Sequence, residues 1–414
     1  MKVLLLSTYD TWLGAAKATY RLHQGLLRQG LDSWMLVNKK FSADARVIAP
    51  TTAPGLAIAQ MRARLEQWPL RFYPQRQTEY YSLQWLPDGL ARQVAEINPD
   101  VINVHWVQGG FMQLETLARF QKPIVLTLHD LWTLTGGCHY SQGCERYQQR
   151  CGACPQLGSA REKDLSRWLW HRKQRSWQNL NLTVVALSRW LKGCVASSPL
   201  LQAYPLHLIA NGLDLQTYAP LDKTLAQQIL GLSPGRRVIL FGAAGGGQRK
   251  GFHHLKAALA HLRQTSWGDR VQLLIFGQHP GQAEPDWGLP SRYLGFLNDD
   301  VSLRLVYACA DVFVAPSQED NLPNTVLEAS ACGTPTVAFH IGGMPDLIEH
   351  QVTGYLATPF ETEDLGAGIL WVLEQSQESS RLGSQARLKA EAEFSQLRQA
   401  QAYQKLFELL TPHP

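Results

Sequence analysis

Short apolar runs alternate with helical patterns along most of this chain, and they come in two series separated by a turn. That arrangement restricts the fold to very few architectures. The first series has strand-like runs at 3–7, 34–38, 101–105, 124–129 and 184–187, interleaved with helical patterns such as 16–28 and 90–97. Strand after helix after strand argues a parallel sheet covered by helices on both faces. A second series at 237–242, 272–277, 312–315 and 336–339 repeats the first in kind. With 414 residues the chain exceeds one ordinary core, and two domains of about 200 residues each are expected. The junction falls within 206–220, where Asn211-Gly212-Leu213-Asp214 marks a turn and an apolar run begins afresh. The expected division is therefore 1–205 and 206–390, followed by a terminal segment, 391–414, with a helical pattern at 394–410.

A hydrophobic fraction of 45% with 18% charged residues describes a globular chain. The net charge of +5 is mild, and no aromatic RNA-binding signature accompanies it, so nucleic acid is not an expected partner. Lys2 precedes only four apolar residues before Ser7, too few for a signal segment or a bilayer span. A cytoplasmic location with reduced thiols is expected.

The stretch 319–335, EDNLPNTVLEASACGTP, carries the most chemistry. Pro323 is pre-set for a first helical turn, and Gly333 with Pro335 stops the helix. Backbone N–H groups near Asn324 and Thr325 would then lack intrahelical partners and carry the positive end of the dipole, a natural anion site. Asp320 precedes the helix and Glu328 lies inside it, so both could reach one ligand. An ordinary capped helix with an exposed Glu328 is the alternative.

A second anion signal follows the run at 237–242, where GAAGGGQRKG leads into a helical pattern. Glycines allow close backbone approach to a phosphate, and Arg249 and Lys250 add positive charge. A nicotinamide site would need an acid at the end of the next strand, where Gln278 stands; a Walker loop would need Lys at Gln248. Both are disfavoured, while a plain glycine turn with two solvated cations stays open.

Four of the seven cysteines, Cys138, Cys144, Cys151 and Cys154, crowd the insertion 136–156 and end in Cys-x-x-Cys. In a reducing compartment that suggests a structural zinc knot, with free thiols or a disulfide as alternatives. Cys194, Cys309 and Cys332 read as core. Two stretches mix basic and aromatic residues: 61–76, and 161–177 with Arg167, Arg172 and Lys173. Each reads either as a surface for an anionic bilayer or as a solvated helix face over buried Trp.

Asp320-x7-Glu328 resembles the Glu-x7-Glu signature of the retaining glycosyltransferases of family 4, with Asp in place of the first Glu. Thr127-His129-Asp130 with Trp132 and Gly136-Gly137, the turn at Gly14-Ala15, and Lys250 before Gly251 resemble further motifs of that family. The resemblance covers most of the chain and implies an α/β fold of two Rossmann-like doubly wound domains facing a cleft, the GT-B fold. The segment 391–414 is then expected to pack back on the N-terminal domain. The implied activity is retaining transfer of a hexosyl group from a nucleoside-diphosphate sugar to a saccharide or lipid-linked saccharide, without a catalytic metal. The carried-over roles give His129 the reacting sugar, Asp320 the sugar hydroxyls, Glu328 the ribose, and Lys250 and Arg249 the diphosphate. Gly14, Ala15, Asn321, Leu322, Asn324 and Thr325 complete the donor site. A peripheral place at the inner face of the membrane would suit a lipid-linked acceptor. An epimerase or hydrolase on the same scaffold, or a sugar-nucleotide-binding subunit without turnover, remain the competing readings.

Overall fold

The computed structural model describes residues 1–78, 80–242, 248–277, 286–375 and 379–411. They form two compact units, Met1–Asn211 with Gln399–Pro414, and Gly212–Arg398. In the first unit the strands β1 (Lys2–Tyr9), β2 (Asp32–Lys39), β3 (Val47–Ile48), β4 (Val101–Val104), β5 (Ile124–Leu128), β6 (Leu182–Ala186) and β7 (Leu206–Leu208) make one parallel sheet in the order β3-β2-β1-β4-β5-β6-β7. Side chains on a strand alternate between faces, and β1 shows the result. Val3 and Leu5 join one core with Leu22 and Leu26 of the helix Gly14–Arg28, whereas Leu4 and Leu6 join the opposite core with Ile102, Val104 and Leu126. The Val3 core also takes Tyr403, Leu406 and Phe407 from the helix Gln396–Leu410. Their i, i+3, i+4 spacing puts three large apolar groups on one stripe of that helix, each stabilising by roughly 1.5–3 kcal/mol on full burial.

The second unit repeats the plan. β8 (Arg237–Gly242), β9 (Val271–Phe276), β10 (Ser291–Tyr293), β11 (Val312–Ala315), β12 (Thr336–Phe339) and β13 (Gly354–Ala357) pair in parallel in the order β10-β9-β8-β11-β12-β13. Ile239, Phe241, Val312, Val314, Val337 and Phe339 bury one sheet face against Leu255 and Leu259 of the helix Phe252–Arg263 and Ile369 of the helix Thr362–Glu374. The Asn211–Asp214 turn lies beside a break between two helices. The N–H of Leu213 donates to the Phe394 carbonyl at 2.8 Å, and that of Gln396 donates to the Leu213 carbonyl at 2.9 Å. Asp214 makes an Asx turn, its Oδ1 accepting from the N–H of Gln216 at 3.0 Å.

Four strands escape the sequence pattern. β3, β7 and β10 have only two or three residues and sit at or beside sheet edges, too short to show a periodicity. β13 opens with a glycine and is only half-buried at its centre. Because β7 pairs with β6, Val184 opposite Leu206, the first unit runs past residue 205 to Asn211, and the chain re-enters it at Gln399 rather than at 391.

In the basic, aromatic stretch 161–177, Arg161, Lys163 and Arg175 are exposed, but Arg167, Arg172 and Lys173 do not form a solvent-facing surface. Lys173 is fully buried, donating to the Thr135 carbonyl at 3.0 Å and to that of Trp132, with Nζ 3.6 Å from the Trp132 ring centre. Arg172 makes a forked pair with Glu115 at 2.7 Å, and Arg167 is held by the Cys151 carbonyl and Glu162. The expected bilayer contact through Arg167, Arg172 and Lys173 therefore fails, because Lys173 is buried on carbonyl acceptors and the two arginines are paired with Glu162 and Glu115. Among the described residues no helix is long and apolar enough to cross a membrane.

Candidate active site

β8 and β11 are neighbours in the second sheet, yet β9 and β10 lie between them in sequence on the other side of β8. The chain thus reverses its direction of travel at this pair, and a crevice opens beyond the strands' carboxyl ends, where doubly wound sheets hold ligands. The loops leaving both strands meet there. After β8, residues 243–247 of the glycine-rich run lie outside the described residues; Gln248, Arg249 and Lys250 form a short 3-10 turn. The N–H of Gln318, in the loop after β11, donates to the Arg249 carbonyl at 2.8 Å. Gly251 has φ +73° and packs so tightly on Pro316 that a Cβ there would collide with the proline carbonyl. Only glycine meets both demands.

This docking sets Lys250 Nζ 2.6 Å from Asp320 Oδ2, with Arg249 Nη1 at 3.3 Å from the same oxygen and 2.9 Å from the Glu319 carbonyl. Ser317 donates to Asp320 at 3.3 Å. Burial by itself would raise the Asp320 carboxyl, but Lys250 and Arg249 outweigh it and hold it below the ordinary carboxylate range. Burial lowers Lys250, and Asp320 opposes that shift. The two cations favour the ionised carboxylate, and the carboxylate in turn offsets part of the cost of burying Lys250 beside Arg249. The Asp320 backbone is fixed as well: its carbonyl accepts from the N–H of Gly343 at 3.1 Å, and a Cβ on Gly342 would strike it. The Gly342-Gly343 turn thus buttresses the acid.

The helix Asn324–Ala331 follows directly, with Pro323 at its N-cap and, among the described residues, no capping side chain. It ends as its sequence expects, Gly333 adopting φ +77°. Asn321 and Leu322 are buried, while Asn324 and Thr325 are half-buried at the amino end. Glu328 is buried rather than exposed, and its Oε2 accepts from Tyr307 Oη at 2.9 Å. Burial first, and then Glu328, raises the Tyr307 hydroxyl well above its usual value. Tyr307 went unnoticed in the sequence because a lone tyrosine in a helical pattern reads as core.

In the first unit the candidate residues again sit at strand ends. His129 follows β5, and its Nε2 lies 2.9 Å from His105 Nδ1. His105 Nε2 is 2.8 Å from Asn103 Oδ1, and the Asn103 amide donates to Thr127 Oγ1 and the Val125 carbonyl. Since the Asn103 Nδ2 group is used as a donor, its Oδ1 must accept from His105 Nε2–H. His105 Nδ1 then accepts from His129 Nε2–H, leaving His129 Nδ1 as the acceptor nitrogen. Burial lowers both imidazoles, His129 to about 4 and His105 well below its normal value. Asn103 and His105, two apart in an apolar run, were a visible signal of this polar relay. Asp130 accepts from Trp132 N–H at 2.8 Å and Trp106 Nε1 at 3.1 Å, and lies 2.6 Å from His139 Nδ1.

These histidines give a pH expectation. His23 is likewise buried and lowered to about 4. A lowered folded value means the unfolded chain binds protons first as the pH falls, so stability is complete above about pH 6.5 and declines toward pH 4 at up to about 1.4 kcal/mol per pH unit for each such group. A thermal midpoint of the first unit that stays flat between pH 7 and pH 5 would contradict this.

Gly14 opens the helix after β1, with Ala15 behind it accepting from Thr19 Oγ1 at 2.9 Å. Leu13 stands before them at φ 69°, ψ 168°, a region essentially reserved for glycine that costs a side-chain-bearing residue about 1–3 kcal/mol. It is 40% exposed, so little packing offsets the strain. Leu13→Gly is expected to stabilise by about 1 kcal/mol after the larger unfolded-state entropy of glycine is subtracted; an unchanged or lower denaturation midpoint would refute it.

Cys138, Cys144, Cys151 and Cys154 are free thiols lining one cavity of about 20 Å³ with Tyr81, Gln156 and others. Cys151 Sγ accepts from the N–H of Gly136 at 3.1 Å, and burial raises its thiol to about 12. Among the described residues no three His, Cys, Asp or Glu side chains stand so as to hold a metal ion. Cys309 and Cys332 are buried and Cys194 partly so.

Two doubly wound parallel sheets, the second with a basic loop paired to an acidic one at its switch point, define the GT-B class of α/β protein. The family model described as Glycosyltransferase Family 4 matches residues 12–217, and the one described as Glycosyl transferases group 1 matches residues 235–375. The chain belongs to these glycosyltransferases. It is 31% identical over 189 residues to a D-inositol 3-phosphate glycosyltransferase of Segniliparus rotundus, 43% of this chain and 41% of that one. It is 29% identical over 195 residues to a sulfoquinovosyl transferase of Arabidopsis thaliana, 46% and 37% respectively. The matches thus span about two fifths of those relatives' lengths. Among solved structures, a sucrose-phosphate synthase from Thermosynechococcus elongatus superposes with a TM-score of 0.71 at 19% identity, covering 99% of each chain. HepE of Anabaena, solved with UDP and glucose, gives 0.64 at 20% identity, covering 99% of this chain and 100% of its own. At such identities these structures establish the fold.

Proposed function

We propose that the protein is a retaining hexosyltransferase that takes a sugar from a nucleoside diphosphate and passes it to a hydroxyl of a saccharide or lipid-linked saccharide. The observation that carries the proposal is the convergence of Lys250 and Arg249 on Asp320 at the β8–β11 switch point, directly before the helix Asn324–Ala331. Breaking the glycosidic bond puts charge on the departing diphosphate, and two fixed cations with a helix amino end favour that charge without having to reorganise. Asp320 keeps both cations in place. Glu328, backed by Tyr307, is assigned the ribose hydroxyls, and a neutral His129 offers the sugar a hydrogen bond of fixed polarity. The acceptor hydroxyl attacks the face the leaving group vacates. Asp320 is tied up by its two cations, which disfavours a covalent intermediate through it. The relatives' names and the UDP and glucose bound to HepE support a sugar-transfer reading. Incubation with labelled nucleotide sugars and a panel of saccharide and lipid-linked acceptors tests it: a glycoside of retained configuration is expected, whereas an inverted one, an isomerised donor, or binding without turnover would each replace it.

The cysteine knot is proposed as a structural zinc site. Its four thiols share one cavity, and an N–H already points at Cys151 Sγ, the donor type that stabilises a thiolate. The four sulfurs do not stand at metal-ligand geometry among the described residues, so the assignment rests on their shared cavity and on the Cys-x-x-Cys spacing, and zinc at about 2.3 Å from each sulfur would have to draw them closer. Protein purified without chelator should contain one zinc per chain and lose thermal stability on chelation. Four titratable thiols with no metal, or a mass shift on reduction, would overturn the assignment.

A further inference from the structure

The helix Ala53–Glu66 and the 3-10 turn Trp68–Phe72 are oriented inside out. Glu66 is fully buried, its Oε1 accepting from the N–H groups of Leu83 and Gln84 at 3.1 Å. Arg62 is half-buried and donates to the Gly110 carbonyl at 2.8 Å and to the Leu86 and Pro87 carbonyls. Large apolar residues are nonetheless exposed: Met61, Leu65, Trp68 and Phe72 are 52%, 41%, 48% and 67% exposed. Met61 and Leu65, four apart, share one side of the helix, and in the 3-10 turn that follows the Trp68 and Phe72 rings pack edge to face with centroids 5.5 Å apart. A soluble helix normally buries its apolar face, and a contiguous exposed one marks an interaction surface.

The charges on this segment say what covers it. Arg64, Arg71 and Arg76 are exposed, and Arg71 lies 5.2 Å above the Trp68 ring. The single acid between residues 53 and 78 is the buried Glu66. An apolar patch with Trp and Phe at its end, flanked by arginines and free of exposed carboxylates, complements an anionic lipid surface: the apolar groups enter the acyl boundary and the guanidiniums meet phosphates. We propose that this segment docks the protein on an anionic bilayer. The inference does not depend on the transferase reading, since it concerns the unliganded chain.

Flotation of the full chain with vesicles of phosphatidylcholine and phosphatidylglycerol tests it, and no sugar nucleotide is needed. The parent should float with anionic vesicles at low salt, less at high salt, and poorly with phosphatidylcholine alone. Met61→Ser, Trp68→Ser and Phe72→Ser together should weaken partitioning at least tenfold. Arg64→Glu with Arg71→Glu should weaken it by about fivefold or more per arginine. All five side chains are exposed, so the variants should keep the parent's thermal midpoint, and a variant that does not is replaced by its Gln or Ala counterpart. Absence of flotation of the parent at low salt, or flotation of both variants equal to the parent's, overturns the proposal. So does a parent that sediments as a dimer, fails to float, and becomes monomeric on the serine changes; the patch would then be covered by a second copy of this chain.

Discussion

Lys250→Ala is expected to lower turnover about 100-fold while leaving the fold intact, because removing one preorganised partner of a developing anion costs about 3 kcal/mol of transition-state stabilisation. The Lys250 side chain is about one quarter exposed and pairs with Asp320. Its loss therefore opens little core. The more telling comparison is Lys250→Arg: a guanidinium keeps the charge but cannot take the ammonium's place 2.6 Å from Asp320 without moving the turn that Gly251 packs onto Pro316, so only partial rescue is expected. Steady-state rates under saturating donor check both. A parent-like Lys250→Ala would remove Lys250 from the reaction.

Asp320→Asn carries the second large effect, and its sign differs from what the family role alone implies. An acid that serves only the sugar could be neutralised without touching affinity for a free nucleoside diphosphate. Here the carboxylate is buried between two cations, and removing one member of such a cluster leaves the others uncompensated, typically a loss of several kcal/mol when burial is complete. Both cations are about one quarter exposed, so a loss of about 2 kcal/mol of stability is expected, below the fully buried range. Diphosphate binding should change with it, because the phosphate becomes the only anion left to pair Lys250 and Arg249. Since Asp320 is held below the ordinary carboxylate range, its contribution is present above about pH 4 and is lost as the pH falls through its lowered value. The stability gap between parent and Asp320→Asn should accordingly close in acid. Glu328→Gln, by contrast, should leave stability nearly intact and weaken nucleotide binding by roughly 1.5–3 kcal/mol, the worth of a charge-assisted hydrogen bond. Denaturation and isothermal titration of the two variants separate these outcomes; identical profiles would contradict the division of roles.

Much of the scaffold was legible in the sequence because central strands of a doubly wound sheet are buried on both faces and are largely apolar, as β1, β4 and β5 are apart from hydrogen-bonded residues such as Asn103 and Thr127. The edge strands β3, β7 and β10 were not, since two or three residues paired on one side need no pattern. Within the site, helix start, stop and the basic turn were readable locally. The ion pair joining Lys250 to Asp320 was not, because it bridges 70 residues and depends on β8 and β11 becoming neighbours. The two basic, aromatic stretches show the limit of composition most clearly. Similar residues turn inward in the helix Leu165–Ser176, where Lys173 is buried, and outward in the helix Ala53–Glu66, where Met61 is exposed. Tertiary partners decide each case, the Trp132 and Thr135 carbonyls for Lys173 and the Gly110 and Leu86 carbonyls for Arg62. No local pattern encodes that.

The central claim is that the switch point between β8 and β11 is a nucleoside-diphosphate site built on Lys250, Arg249 and Asp320. Isothermal titration of the parent and of Lys250→Ala with a panel of nucleoside diphosphates and their hexose derivatives tests it without any acceptor. One saturable site per chain is expected for at least one nucleotide, weakened tenfold or more by Lys250→Ala, with the variant's thermal midpoint unchanged. Absence of binding by every nucleotide in the parent, or equal affinity in the variant, would contradict it.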